Sequence, residues 1–117
     1  MDKQKRKELM EQYKQMKTYM GIIQITNNVN GKVYLSTCSN LKNRWMSIRM
    51  QLDIGRFPNS KLQEDWNQLG EDAFKYEVIE KKEVTEDMDT RWELKQMEKV
   101  WLEKIQPFGD KGYNIQK

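Results

Sequence analysis

The sequence predicts an α+β domain. Its core is a three-stranded, mainly antiparallel sheet flanked by helices, with an extra helix at the N-terminus. Three observations lead there. Gly21–Thr26 and Val33–Thr37 are strand-like runs joined by Asn27-Asn28-Val29-Asn30-Gly31, whose Asn-Gly end is a strong hairpin signal. Phe74, Tyr76 and Val78 alternate with polar neighbours and predict a third strand. Around these runs, apolar residues recur at helical spacing. One hairpin plus one later strand, interleaved with helices, gives a small sheet covered by helices.

Taken in order, residues 1–18 are rich in Lys, Glu, Gln and Met, all good helix formers. They predict a basic N-terminal helix with a thin apolar stripe of Leu9, Tyr13 and Met16. That stripe offers a docking surface, either for the domain of residues 19–117 or for a second copy through residues 1–17. After the hairpin, Leu41, Trp45, Ile48 and Leu52 mark one face of a helix opening at Ser39 or Asn40 and ending near Gly55. A second helix, capped by Asn59 or Ser60, buries Leu62, Trp66 and Leu69 and stops at Gly70. The third strand follows, then a turn bracketed by Lys81–Glu83 and Glu86–Asp89. A long helix, capped by Thr85 or Asp87, runs from about Asp89 to Ile105 and ends before Pro107 and Gly109. Gly112-Tyr113-Asn114-Ile115 closes the chain as a short extended tail.

Composition narrows the chemistry. The 117 residues suit one domain, and 33% of them are charged. Four Trp, five Tyr and three Phe argue against disorder. There is no histidine, which removes the commonest acid-base group near neutral pH. With Cys38 alone, a structural zinc site is excluded. No apolar run approaches a membrane span, and the N-terminus has no signal-peptide core; the expectation is a cytoplasmic protein.

The net charge of +3 conceals an asymmetry. Residues 32–61 hold Lys32, Lys42, Arg44, Arg49, Arg56 and Lys61 against Asp53 alone, while residues 62–110 are net negative. A basic first half beside an acidic second half offers one face to a polyanion. A solvated surface with charges sorted by chance is the alternative.

The long helix carries one odd residue. Leu94, Met97, Trp101 and Ile105 define its apolar stripe, and at about 100° per residue Glu98 falls about 40° from Leu94, inside that stripe. An unpaired buried carboxylate is costly. Glu98 is expected to meet a cation such as Arg44, a hydrogen-bond donor or a metal, or else to lie at a packing edge.

These residues, at these spacings, resemble the GIY-YIG nuclease family. Gly21-Ile22-Ile23 stands at the GIY position, and Asn30-Gly31-Lys32-Val33-Tyr34-Leu35-Ser36 is similar to the turn and second motif. Asn40–Trp45 matches the helix that carries an Arg in the family. Leu62–Asn67 and Gly70–Phe74 are similar to a segment common in phage and bacterial members. Glu98 falls at the family's metal-binding Glu, and Gly112-Tyr113-Asn114 resembles the terminal GYN. The likeness covers roughly residues 20–117 and implies metal-dependent hydrolysis of a DNA phosphodiester.

In that chemistry one Mg2+ or Mn2+ on the Glu polarises the phosphate, a tyrosine acts on water, and the Arg stabilises developing charge. Carried over, the implied functional positions are Tyr34, Arg44, Glu98 and Asn114, with Glu98 as metal ligand. The pattern breaks in two places: Ile23 replaces the GIY tyrosine, and Ser36 replaces the glycine of YIG. Ile48 and Phe57 stand where homing-endonuclease-like members often carry histidines. Three uses follow. The foremost is a degenerate DNA-binding module contacting phosphates through Lys42, Arg44, Arg49, Arg56 and Lys61, with Lys5, Arg6 and Lys7 adding to them. The others are an endonuclease working through Glu98, and a protein-interaction module.

Overall fold

The computed structural model describes residues 17–115. Nearly all of the predicted N-terminal helix lies outside them. Within them the order is β1 (Tyr19–Asn27), β2 (Val33–Cys38), α1 (Arg44–Asp53), α2 (Ser60–Leu69), β3 (Phe74–Glu83) and α3 (Thr90–Ile105). Short 3-10 turns precede β3 and follow α3.

The sheet order is β2-β1-β3, and both pairings are antiparallel. A central strand covered on both faces must be apolar on both, which explains why Gly21–Thr26 alternates so loosely. Ile23 and Ile25 point into one core with Ile48, Leu52, Leu62, Trp66 and Phe74, beneath α1 and α2. Met20 and Ile22 point into a second core with Leu35 and Met97, beneath α3. The sheet is therefore the middle of three layers. Leu94, Trp101 and Ile105 pack on the second core as their spacing predicts.

Three boundaries differ from the sequence expectation. The helix after the hairpin opens at Arg44, not at Ser39 or Asn40. Asn40 Oδ1 accepts a hydrogen bond from the Lys42 amide, and Asn43 takes a left-handed conformation at φ 58, so the chain turns before it winds. The third strand runs through Lys81–Glu83, the cluster expected to open a turn. Its register also slips: Ile22 faces Glu80 while Ile23 faces Val78, leaving Ile79 as a bulge. Beyond that bulge the alternation switches, so Glu80 pairs with Ile22 and accepts from Trp101 Nε1 on the α3 face, which Ile79 shares, while Val78 before the bulge is exposed. Gly21 lies beside this irregularity, where a Cβ would collide with the Glu80 carbonyl.

One helix cap matches expectation and one does not. Asn59 Oδ1 accepts from the Leu62 amide as expected, whereas α3 is capped by Asp89, whose Oδ1 accepts from the Trp92 amide, and not by Thr85 or Asp87.

The tail is fastened to the sheet. Gly112 bridges Val33 in parallel, at an approach where a Cβ would strike the Pro107 backbone. Tyr113 Oη donates to Asp65 Oδ2 at 2.6 Å and accepts from Asn27 Nδ2 at 3.0 Å. Asn59 Nδ2 donates to the Tyr113 carbonyl at 2.6 Å. One residue thus ties the hairpin, α2 and the C-terminus together.

Candidate functional site

The face beneath α1 carries most of the sequence-derived candidates. Because α1 opens at Arg44, Trp45 turns inward one residue later. Its ring stacks on Tyr76 of β3, with centroids 5.0 Å apart and planes at 19°. It also meets Trp66 edge-on at 6.1 Å. Tyr34 of β2 lies on the same face and meets Phe57 edge-on at 5.6 Å. In the register, Ile25 stands between Tyr34 and Tyr76, and Ile23 stands between Ser36 and Val78. Ile23 has no exposed surface at all.

The cations sort into two kinds. Lys42, Arg56 and Lys61 are exposed at the ends of α1 and the start of α2, and Arg44 is half-buried. Arg49 is engaged: its Nη1 lies 2.8 Å from Glu71 Oε1, and its guanidinium carbon is 5.6 Å from the Trp45 ring centre. Gln63 holds the loop between the helices. It donates from Nε2 to the Leu52 carbonyl and accepts the Phe57 amide, so the loop carrying Arg56 is anchored to α1.

Two phenols are perturbed. Burial chiefly pushes Tyr76 above its ordinary value; Cys38 adds to the rise and the Arg44 guanidinium opposes it. Tyr113 is pushed up to about 12, first by burial and then by its hydrogen bond to Asp65.

Glu98 lies elsewhere. It is half-buried on α3, across the sheet from α1, and lines a cleft of about 260 Å³ with Thr37, Arg91, Leu94 and Lys95. Among the described residues no ion pair or hydrogen bond joins it to Arg44. Of the places expected for Glu98, this half-buried position at a cleft is the packing-edge one. Glu98 escapes the cost of burial by sitting where α3 leaves the sheet open to solvent.

Asn114 is engaged with the backbone. Its Oδ1 accepts from the Leu35 amide at 2.9 Å and its Nδ2 donates to the Leu35 carbonyl at 2.8 Å. That two-point clamp occupies the free edge of β2.

No family model matches the chain. It is 28% identical over 95 residues to intron-associated endonuclease 1 of Enterobacteria phage T4, an alignment covering 81% of this chain and 36% of that protein. Two solved structures are similar. The catalytic domain of homing endonuclease I-TevI superposes with a TM-score of 0.66 at 28% identity, covering 84% of this chain and 99% of that one. A point variant of the same domain gives 0.67 at 28% identity, covering 86% and 95%. The chain is similar in sequence and fold to this endonuclease domain over more than four-fifths of its length, which supports the GIY-YIG resemblance of its motifs.

Of the positions that the motif resemblance implies, Tyr34 and Arg44 lie on the α1 face, Glu98 lies across the sheet on α3, and Asn114 closes the sheet edge. A divalent ion is a poor match to the Glu98 cleft, because one carboxylate shares it with Arg91 and Lys95. Among the described residues no group of three or more His, Cys, Asp or Glu converges.

Sequence reasoning missed Tyr76, Asp65 and Gln63. Only Tyr76 left a signal, its place on the same side of β3 as Phe74. Asp65 and Gln63 act through partners distant in sequence or in an irregular loop.

Proposed function

We propose that this chain is a DNA-binding domain built on a nuclease scaffold, with cleavage absent or weak. Ile23 carries the reading. The position that holds a tyrosine in the GIY motif is a fully buried isoleucine, unable to accept a proton or orient water. The mixed charge of the Glu98 cleft supports the same conclusion, since Mg2+ or Mn2+ there would face two cations. The relatives that match are endonucleases, and the chain spans 36% of the length of the T4 protein. What the chain retains of that chemistry is a cationic surface. Lys42, Arg44, Arg56 and Lys61 run along α1 and into α2, and contacts from such groups to phosphates position a duplex without reading its sequence. Arg49 joins them only by giving up Glu71. No helix among the described residues is long and apolar enough to cross a membrane.

The test is the salt dependence of duplex binding. Four phosphate contacts give a slope of roughly −3.6 in log affinity against log salt, a loss of roughly 150-fold between about 50 and 200 mM. A flat dependence, or no binding at low salt, contradicts the reading. In that event a stable dimer that dissociates on removal of residues 1–17 would favour a protein-interaction module.

A further inference from the structure

Three buried side-chain atoms have no hydrogen-bond partner among the described residues: Arg44 Nε, Arg49 Nε and Tyr76 Oη. All three belong to side chains grouped about Trp45. Tyr76 stacks on its ring, Arg49 lies over it, and Arg44 precedes it in α1. Buried donors are nearly always satisfied, so such a group needs an explanation. Arg49 has a partial one, because its Nη1 reaches Glu71. Arg44 and Tyr76 have no carboxylate to share. Arg44 opens the helix whose Trp45 stacks on Tyr76, which sets both groups at the face of the sheet that α1 covers.

A guanidinium N–H and a phenol O–H, both unpaired, form a site for an acceptor with more than one oxygen. Lys42, Arg56 and Lys61, exposed before and after α1, form no ion pair among the described residues, which favours a polyanion over a lone acidic side chain. We propose that Tyr76 and Arg44 together hold a non-bridging phosphate oxygen of the DNA backbone, Tyr76 supplying from β3 the phenol that β1 lacks at Ile23. This rests on the DNA-binding reading above and gives it a definite anchor.

The direction of the phenol's perturbation decides what the pair does. Burial raises Tyr76, so at neutral pH it remains protonated and donates a hydrogen bond; it does not withdraw a proton from water. The pair therefore fastens a phosphate without activating a nucleophile. No ion pair among the described residues fixes the Arg44 side chain, so it can rotate to admit the ligand.

Tyr76→Phe tests this. It keeps the ring and its stack on Trp45 and removes only an oxygen without an intramolecular partner. The melting temperature is expected to equal or exceed that of the unsubstituted protein. Affinity for a mixed-sequence duplex at low salt, read by fluorescence anisotropy, is expected to fall about tenfold, with the salt slope unchanged because no charge is lost. In an Arg44→Gln background the same change is expected to have much less effect, since the pair acts as a unit. Unchanged affinity, with the unsubstituted protein still binding in a salt-sensitive manner, overturns the pair and leaves the DNA-binding reading standing. A lowered melting temperature would show the hydroxyl to be structural and also overturns it. Failure of the unsubstituted protein to bind at low salt overturns the DNA-binding reading and the pair with it.

Discussion

Tyr113→Phe removes one oxygen and cuts two bonds. The hydroxyl donates to the Asp65 carboxylate at 2.6 Å and accepts from the Asn27 amide at 3.0 Å, and Asn27 is completely buried. A hydrogen bond to a charged group contributes about 1.5–3 kcal/mol, and a buried donor left unpaired costs about 1–3 kcal/mol. Local relaxation recovers part of that, so the net cost is about 2–4 kcal/mol, a large share of the stability of a domain this size. At 4–8 °C per kcal/mol, with a chain this long near the low end, the melting temperature falls by roughly 10–20 °C.

A pH arm separates this bond from simple packing. The folded phenol titrates at about 12 against an ordinary value of 10.0. The unfolded chain loses its proton first as pH rises. The contribution is thus complete below pH 10 and is lost as pH climbs through 12. Circular-dichroism melts of both proteins at neutral pH and across that alkaline window are the assay. The gap between them is expected to narrow with rising pH. A Tyr113→Phe protein melting within about 2 °C of the unsubstituted one at neutral pH would refute the reasoning.

Other predictions follow from the same geometry. Gly112→Ala places a Cβ against the Pro107 backbone and should cost about 1–3 kcal/mol, loosening the Asn114 clamp on β2; faster amide exchange at Leu35 and a lower melting temperature are the readouts. Ile23→Tyr forces a phenol into a fully buried site between Ser36 and Val78, at a cost of about 1–3 kcal/mol, and is expected to lower the melting temperature without increasing plasmid nicking. Glu71→Gln releases Arg49 to the phosphates, so duplex affinity should rise and the salt slope should steepen by about 0.9; anisotropy titrations at several salt concentrations check it.

What was legible in the sequence was local. Asn59 announced the start of α2 because a cap bonds an amide three residues away, whereas the run Thr85–Asp89 offers several capping side chains and α3 uses the last of them, Asp89. The hairpin was legible because Asn27–Gly31 confines the turn to five residues. The start of α1 was not, since Asn40 and Asn43 spend several residues turning, and composition alone does not separate a turn from a first helical coil. The bulge at Ile79 reversed the face of the last half of β3, which period-two reading assumes constant. The candidate site divides the same way. Tyr34 and Arg44 were legible through motif position and share a face. Glu98 fell on the apolar side of a helical wheel, but a wheel does not show where the sheet beneath the helix ends. The Asn27–Tyr113–Asp65 linkage spans 86 and 48 residues and depends on the tertiary fold alone.

The central claim meets its most direct test in a single incubation that reads binding and scission together. Supercoiled plasmid is mixed with the full chain and Mg2+ or Mn2+, and the bound and nicked fractions are resolved from the same sample. The account predicts a complex that dissociates steeply with added salt and releases intact plasmid. Efficient nicking by the unsubstituted protein, abolished by Glu98→Ala, would contradict it.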